Sequence, residues 1–321
     1  MYPYERVRSA NVLGTLKAIE FACQGKSKQF IFVSSTSAID TEYYIRLSES
    51  LLQEGKGGVS EDDTLEGSRT GLKTGYGQSK WVSEKLLFEA GKRGLCGYIV
   101  RPGYIVGDAK TAGASHVRSV DYVYWLNSPS PVTNTDDFIW RLTKGCIQLG
   151  LVPDINNTIN MVPVNHVAFC ITQAAVSPNS SAGLTVLHVR ARPLPTYNTI
   201  FSSLSRYGFS SERCEYLVWR RKLEQHVMEV QDNALFPLLH FVLDDLPTST
   251  KSPDVDDLNM RALLEGHEDE GDRTVSDGLV AKYLSWLILV GFLPKPSLSG
   301  ADLLPELGNT SIRKALGRSG A

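Results

Sequence analysis

The hydrophobic pattern changes period along the first part of the chain. Over residues 8–23 apolar side chains recur at roughly helical spacing, and Gly25 follows as a helix stop. Residues 29–37, "QFIFVSSTS", form a continuous apolar run rich in β-branched and aromatic side chains, which is typical of a buried strand. The polar stretch 40–75 predicts a long loop, and a helix is predicted from residue 76 to about residue 91.

A second buried strand is predicted in "CGYIVRPGYIVG", where Pro102 and Gly103 break the run. Helix, strand, helix and strand at this spacing favour a parallel sheet with crossover helices, the doubly wound α/β class. The segment "NTDDFIWRLTKGCIQLG" predicts a further helix with its polar cap at Asn134 or Thr135.

The last part of the chain is mainly helical by pattern. "INMVPVNHVAFCITQAAV" predicts a short strand followed by a helix, and "GLTVLHVR" predicts another strand. We therefore predict a dinucleotide-binding domain over 1–190, a mainly helical substrate-side region over 191–293, and a flexible tail over 294–321.

Composition and charge narrow the class of protein. The 321 residues are 42% hydrophobic with a formal net charge of -2, which gives no electrostatic footprint for nucleic acid or an anionic membrane. The five cysteines lie far apart without C-x-x-C spacing, so neither a metal site nor a disulfide framework is indicated. Such cysteines favour a reducing compartment, most simply the cytoplasm, and with no signal peptide or membrane-spanning run in the pattern we expect a soluble protein.

The chemistry-bearing segment is "TGYGQSK", which places Tyr76 and Lys80 one helical turn apart. A phenol has an ordinary pKa of about 10, and a nearby ammonium favours the phenolate. Thr36, in "SST" at the carboxyl end of the preceding strand, could hold a carbonyl against the phenol, since open α/β sheets bind ligands at that edge. Ser34 and Ser35 compete with Thr36, and an ordinary surface pair is the plain alternative for Tyr76 and Lys80.

The order of these motifs resembles the extended short-chain dehydrogenase/reductases. Asn11 in "NVLGT", "FVSST", "YGQSK" and "RPGYIVG" carry the resemblance. More narrowly, "YPYERVRSANVLGT", "FVSSTSAIDTEYY", "NTDDFIWRLTKGCIQLG", "INMVPVNHVA" and "HFVLDDLPTSTKSP" look like the C-terminal thioester reductase domain of fungal α-aminoadipate reductases.

That resemblance implies an activity and a set of site residues. In the family, a carrier domain presents aminoadipate as a thioester, and the reductase domain releases it as the semialdehyde with NADPH, on the route to lysine. Tyr76 would donate a proton to the thioester oxygen, Thr36 would hydrogen-bond the same oxygen, and Asn11 would support the proton relay. Lys80 would lower the pKa of Tyr76 and bind the nicotinamide ribose. Residues implied to contact the nicotinamide, besides Tyr76 and Lys80, are Arg101, Pro102, Gly103, Tyr104 and Ile105.

The sequence departs from the family in two places. No strand and glycine-rich turn leading into a helix can be built from the glycines before Tyr76, so we expect a fragment that lacks the first half of the dinucleotide fold and is inactive alone. Its first strand would then expose an apolar edge. Residues 109–133 interrupt the family pattern, and we interpret them as an aberrant insertion from a retained intron, with a substrate-gating loop as the rival. Transcript sequencing across this segment distinguishes the two.

Two other functions stay open at this point. One is a non-catalytic dinucleotide-fold protein that binds a partner. The other is a sugar-nucleotide epimerase or dehydratase, which shares the tyrosine and lysine machinery. The long loop after "SSTS" and the "NTDDF" and "MVPV" segments speak against the second.

Overall fold

A computed structural model describes residues 2–26, 28–109, 137–179, 183–230, 233–267 and 272–307. The segment interpreted as an aberrant insertion, 109–133, lies outside these ranges except for Ala109, which is buried. Within the described ranges, no helix combines the length and the apolar composition needed to cross a bilayer.

The secondary-structure elements alternate as the pattern predicts. The helices are α1 (Tyr4–Arg8), α2 (Gly14–Ala22), α3 (Glu42–Gln53), α4 (Gly75–Gly91), α5 (Phe138–Leu149), α6 (Val164–Val176), α7 (Tyr197–Arg206), α8 (Tyr216–Glu229), α9 (Leu239–Ser249), α10 (Leu258–Leu263) and α11 (Asp277–Leu289). The strands are β1 (Phe30–Val33), β2 (Gly97–Pro102), β3 (Tyr104–Val106), β4 (Leu151–Pro153), β5 (Met161–Pro163), β6 (Leu184–Val189) and β7 (Glu212–Cys214).

A parallel sheet in the order β1-β2-β6 forms the centre of the fold. Its register pairs Val33 with Val100 and Arg101 with His188. Two further parallel pairs, β3 with β5 and β4 with β7, extend the architecture. The predicted α/β class with parallel strands is confirmed. Among the described residues β1 pairs only with β2, and its four side chains are half-buried, as expected for an edge strand.

Each face of the sheet packs against helices because successive strand residues point to opposite sides. Ile99 faces α2 and α4, where it packs with Leu87. Val100 faces α6, where it packs with Val167 and Cys170. The sheet is therefore covered on both faces, as parallel sheets require.

A separate and larger core holds the helices of the second half together. Its fully buried aromatic side chains include Trp140, Trp219, Tyr283 and Trp286. Trp140 and Tyr283 meet edge to face with ring centroids 5.5 Å apart, which joins α5 to α11. This region is helical, as its pattern predicts, apart from the short strand β7.

The prediction of a loop over residues 40–75 was partly wrong, because helix α3 lies within this segment. Thr41 caps this helix by accepting a hydrogen bond from the Tyr44 N–H, and Tyr44, Ile45 and Ser48 form its buried face. Polar residues on the exposed face hid the helical period in the sequence. The cap of α5 also differs from the prediction: Asp137 accepts from the Ile139 N–H at 2.9 Å, rather than Asn134 or Thr135 capping the helix.

The described part of the predicted flexible tail, 294–307, is packed against the helical region. The N–H groups of Ser297 and Leu298 both donate to the Gly208 carbonyl at 3.0 Å. Arg206 pairs with Asp302 at 2.7 Å. These bonds join residues 297–302 to the end of α7 and to Gly208, and the flexibility of the tail stays a prediction. Residues 308–321 lie outside the described ranges.

Gly103 lies where two chain segments meet closely. A Cβ atom at this position would lie 2.3 Å from the Asn160 carbonyl oxygen. That carbonyl accepts from the Tyr104 N–H at 2.6 Å, and the Asn160 side chain accepts from the Ala191 N–H at 2.7 Å, so Asn160 is held on two sides. Gly103 is thus required by packing, whatever else it contacts.

We expect Gly103→Ala to lower the free energy of unfolding by about 1–3 kcal/mol, because the added methyl group overpacks against a fixed backbone. Urea denaturation measures the change. Gly278→Ala is the matched control: its Cβ would meet nothing within 4 Å, and removing a helical glycine stabilises by about 0.5–1 kcal/mol. Equal stability of the two variants would contradict this reading of Gly103.

Candidate active site

Small residues let other elements approach the start of α4. Thr74 caps the helix by accepting from the Gly77 N–H at 3.0 Å. A Cβ at Gly75 would lie 2.3 Å from the Tyr4 nitrogen, and one at Gly77 would lie 2.7 Å from the Ser37 carbonyl oxygen. The first turn of α4 is therefore pressed against α1 and against the turn that follows β1.

Side chains on one face of α4 hydrogen-bond to successive residues at the end of β1. Tyr76, Lys80 and Glu84 recur at intervals of four and form what we call the α4 stripe. The Lys80 ammonium donates to the Val33 carbonyl at 2.8 Å. The next residue, Ser34, donates its hydroxyl to Glu84, and the hydroxyl of Ser35 hydrogen-bonds with Tyr76.

The electrostatics of Tyr76 differ from the prediction. Desolvation raises the pKa of the phenol, although 41% of the residue is exposed, and the Ser35 hydrogen bond lowers it in part. The expected lowering by Lys80 is not seen, since the ammonium lies 5.7 Å from the ring centroid of Tyr76 and is directed at β1. Burial lowers the pKa of Lys80 itself, while Glu84 raises it.

Thr36 begins the short 3-10 turn Thr36–Ile39 at the carboxyl end of β1 and is half-buried. Within the described structure the hydroxyl that bonds Tyr76 belongs to its neighbour Ser35, one of the two rivals that the sequence offered. Ser35 also caps the turn by accepting from the Ser37 N–H at 3.1 Å. The role of Thr36 toward a substrate oxygen stays a prediction.

Asn11 lies in a π-helical turn, Ser9–Leu13, between α1 and α2. Such turns occur frequently at functional sites. Its amide donates to the Ser79 hydroxyl at 2.9 Å, and Ser79 donates to the Tyr76 carbonyl at 2.7 Å. Its own carbonyl accepts from Ser83 at 3.1 Å. Asn11 thus fixes the backbone of α4 beside the stripe, and its part in a proton relay stays a prediction.

Arg101 does not occupy the place that the sequence predicted. Its side chain is fully buried, donates to both carboxylate oxygens of Glu84, and lies 3.1 Å from His188 Nε2. A side chain with no exposed surface cannot touch a cofactor in the crevice, so Arg101 has a structural role here. Pairing with Glu84 compensates its buried charge.

The other four residues predicted to flank the nicotinamide follow Arg101 directly. Pro102 and Gly103 are buried, and Tyr104 hydrogen-bonds with Asp137. Ile105 is 42% exposed and is the one whose side chain faces solvent most openly. Because Val33 pairs with Val100 in parallel, the residues after β1 and those after β2 lie at the same edge of the sheet.

The residues at this edge fit the nicotinamide half of a dinucleotide. An exposed phenol, a half-buried ammonium and serine or threonine hydroxyls supply a proton donor, a cation and hydrogen-bond partners, while Ile105 offers an apolar surface for a ring. The pyrophosphate half is not matched by this chain's sequence, since no glycine-rich turn between a strand and a helix precedes Tyr76.

Glu61 is a buried carboxylate that the sequence did not indicate, and it lies between β6 and α10. Glu61 is 2% exposed and accepts from the backbone N–H groups of His188 at 2.6 Å and Met260 at 3.3 Å. Burial raises the pKa of Glu61 to about 7, and these backbone hydrogen bonds oppose the rise. In the sequence it is one acidic residue in "SEDDTLEG", with no local sign that it is buried.

Glu61 should give the chain a stability that falls as the pH rises. Its pKa is higher in the folded chain than in the unfolded chain, so the folded state binds more protons between about pH 4.5 and pH 7. The contribution of Glu61 to the free energy of unfolding is fully present below pH 4.5 and is lost by about pH 7. We expect Glu61→Gln to flatten this part of the stability profile, measured by urea denaturation at several pH values. An unchanged slope in that variant would contradict the assignment.

Comparison with known proteins agrees with the geometry. Residues 1–171 match the NAD-binding family described as "Male sterility protein". The chain is 45% identical over 332 residues to the L-2-aminoadipate reductase of Schizosaccharomyces pombe, covering 100% of this chain and 22% of that protein. It is 44% identical to the L-2-aminoadipate reductase large subunit of Penicillium chrysogenum, covering 95% of this chain and 21% of that one. The chain therefore spans about a fifth of the length of these relatives.

Among solved structures, the terminal R domain from the myxalamid PKS-NRPS biosynthetic pathway is similar, with a TM-score of 0.72 and 27% identity. That likeness covers 92% of this chain and 67% of that structure. The resemblance to the fungal aminoadipate reductases that the motifs indicated is confirmed, and a nicotinamide cofactor follows from the family match. With more than half of its length matched, the chain belongs to the Male sterility protein family of NAD-binding domains.

Proposed function

We propose that this chain, inactive alone, supplies the catalytic residues that reduce an aminoadipyl thioester, held on an acyl carrier domain, and release it as the semialdehyde with NADPH as reductant. The observation that carries the proposal is the α4 stripe. It places an exposed phenol and a neighbouring ammonium beside the hydroxyls that follow β1, at the edge where parallel sheets bind ligands. The 45% identity to an L-2-aminoadipate reductase supports the choice of substrate.

Tyr76 is suited to act as the proton donor. Its raised pKa keeps the phenol protonated at neutral pH, and its partial exposure lets it reach a substrate oxygen. Thr36, or Ser35 beside it, supplies a second donor to that oxygen, so negative charge that develops there meets two preorganised groups. Lys80 places a positive charge near the phenolate that remains after the transfer.

The atoms balance with one reductant and one proton. NADPH, held by residues such as Tyr76, Lys80 and Ile105, would supply a hydride for the carbonyl carbon of the thioester. Tyr76 protonates the carbonyl oxygen, which gives a hemithioacetal. The carbon–sulfur bond of that species then breaks, the carrier thiol leaves with a proton, and the aldehyde remains.

The proposal also includes a carrier domain that presents the substrate and a division of roles between two regions of this chain. The R domain that resembles this chain comes from a PKS-NRPS pathway by its description, which supports a thioester presented on a carrier. We assign the cofactor and the chemistry to residues 1–190 and the substrate-side contacts to the helical residues 191–293. The preference for NADPH over NADH rests on the resemblance and is tested by comparing kcat/KM for the two cofactors.

A chimeric enzyme tests the proposal. Residues 1–321 replace the aligned segment of the S. pombe L-2-aminoadipate reductase, and the purified chimera receives L-2-aminoadipate, ATP and NADPH. We expect aminoadipate semialdehyde, trapped as an oxime and identified by mass spectrometry. A chimera that folds and binds NADPH but forms no aldehyde would instead support a non-catalytic dinucleotide-binding role.

A further inference from the structure

Glu84 is the member of the α4 stripe that has no place in the proposed chemistry. It lies one helical turn beyond Lys80 and is fully buried. Two groups hold its carboxylate: the guanidinium of Arg101 donates to both oxygens, and the Ser34 hydroxyl donates to one of them. A carboxylate fixed in this way has no rotational freedom left to respond to solvent.

The bond to Ser34 connects Glu84 to the acceptor of Lys80. Ser34 follows Val33, whose carbonyl receives the Lys80 ammonium at 2.8 Å. Ser35, the residue after it, bonds Tyr76. The hydrogen bond to Ser34 therefore fixes the end of β1 against α4. It also fixes the positions of Tyr76 and Lys80, the two groups proposed to carry the chemistry.

Among the residues that the structure describes, Glu84 is the charged group that acts on the pKa of Lys80. On α4, the neighbours of the Lys80 ammonium are Glu84 and the Tyr76 phenol. On β1, the ammonium lies 4.8 Å from the ring centroid of Phe32, and this strand carries no titratable side chain. Beyond Glu84 lie Arg101 on β2 and His188 on β6. Farther out, Tyr44 interacts with Arg101 and hydrogen-bonds with Asp63, and Glu61 accepts from the backbone N–H of His188.

His188 brings no charge to this cluster. It is fully buried, and burial followed by the positive charge of Arg101 lowers the pKa of its ring to about 3. Its Nε2 accepts from Arg101 at 3.1 Å, while Nδ1 donates to the Asp256 carbonyl at 2.8 Å. Glu84 is thus the one carboxylate described between the two cations Arg101 and Lys80.

We infer that Glu84 is a positioning residue of this site, whose buried carboxylate keeps Lys80 protonated and locks the end of β1 against α4. The inference rests on the proposed function only in treating Lys80 as part of the site. According to this inference, Glu84 acts through its negative charge as well as through its buried contacts. Burial tends to remove the proton from Lys80, and the Glu84 carboxylate opposes that tendency.

Competitive acetylation of the full chain measures the protonation of Lys80. The chain is labelled with trace acetic anhydride over a range of pH, and peptides are quantified by mass spectrometry with exposed Lys17 as internal reference. We expect Glu84→Gln to move the midpoint of the Lys80 profile to lower pH, because the counter-charge is removed. The midpoint reports protonation, whereas a change in accessibility alters only the plateau.

Three variants separate charge from structure. Glu84→Asp keeps the charge and should restore much of the midpoint. Ser34→Ala removes a hydrogen bond without changing charge and should leave the midpoint in place. Glu89→Gln lies on the same helix, removes an exposed carboxylate paired with Lys92, and should also leave it in place.

The inference is overturned if folded Glu84→Gln labels with the midpoint of the unmodified chain. Should this variant fail to fold, Glu84→Leu combined with Arg101→Met removes both buried charges, and an unchanged Lys80 midpoint there overturns it equally. The labelling needs neither cofactor nor substrate. A chimeric enzyme without reductase activity, together with the shifted Lys80 midpoint in the chain, would refute the proposed function and leave this inference standing.

Discussion

Arg101→Met lowers the free energy of unfolding by about 3–5 kcal/mol, the expected cost of leaving a buried carboxylate without its partner. Glu84 and Arg101 are both fully buried and are joined by a bidentate ion pair. Neither group can reach water once its partner is removed. Urea denaturation at neutral pH, with the unfolding slope checked for two-state behaviour, measures the loss.

Two comparisons isolate the buried charge as the cause. Arg206→Met breaks exposed ion pairs with Asp302 and Asp277 and should lower the stability far less, because water screens exposed pairs. Glu84→Leu combined with Arg101→Met removes both charges and should recover much of the loss, since replacing a buried pair by apolar side chains is often near neutral. A double variant as unstable as Arg101→Met would show that packing volume, and not the unpaired charge, decides the effect.

Tyr76→Phe should lower the rate of semialdehyde formation in the chimeric enzyme by about a hundred- to ten-thousand-fold. The phenol is the group proposed to donate the proton, and general acid catalysis contributes on that order. Because 41% of the residue is exposed, loss of the hydroxyl should change the stability little. The measurement is the initial rate of NADPH oxidation with saturating substrates, supported by product analysis.

Tyr43→Phe provides the matched control for this rate. Tyr43 is 56% exposed on α3 and packs edge to face with Tyr44. Its hydroxyl has no part in the proposed chemistry, so the variant should keep the rate of the parent chimera. Loss of activity in both variants, or in neither, would remove Tyr76 from its assigned role.

Sequence reasoning reached the sheet and the α4 stripe because their signals are local. Apolar runs mark β1 and β2, and the spacing of Tyr76 and Lys80 places both on one face of a helix. The break at Pro102 and Gly103 also appears where expected, between β2 and β3. Motif order carried the family assignment, which the match over residues 1–171 confirmed.

What the sequence could not give depends on distant contacts. Arg101 was assigned to the cofactor because of its place in "RPG", but its bonds go to Glu84, 17 residues earlier, and to His188, 87 residues later. Glu61 was overlooked because its partners lie 127 and 199 residues away. Nothing in the local pattern of either segment reports these pairings.

The choice among Ser34, Ser35 and Thr36 shows the same limit at close range. All three follow β1 and carry hydroxyls, so the sequence ranks them only by resemblance. The structure separates them by what each side chain meets: Ser34 bonds Glu84, Ser35 bonds Tyr76, and Thr36 opens the 3-10 turn. These contacts depend on how the end of β1 packs against α4, which the spacing in the sequence does not show.

Deuterium transfer tests the proposed reduction most directly. The chimeric enzyme receives L-2-aminoadipate, ATP and NADPH that carries deuterium at the position of hydride transfer, and the trapped aldehyde is analysed by mass spectrometry. One deuterium on the aldehyde carbon, absent when Tyr76→Phe replaces the parent chain, is the outcome expected of thioester reduction at the α4 stripe. Unlabelled aldehyde, or labelled aldehyde formed equally well by Tyr76→Phe, would contradict that reduction or its assignment to this site.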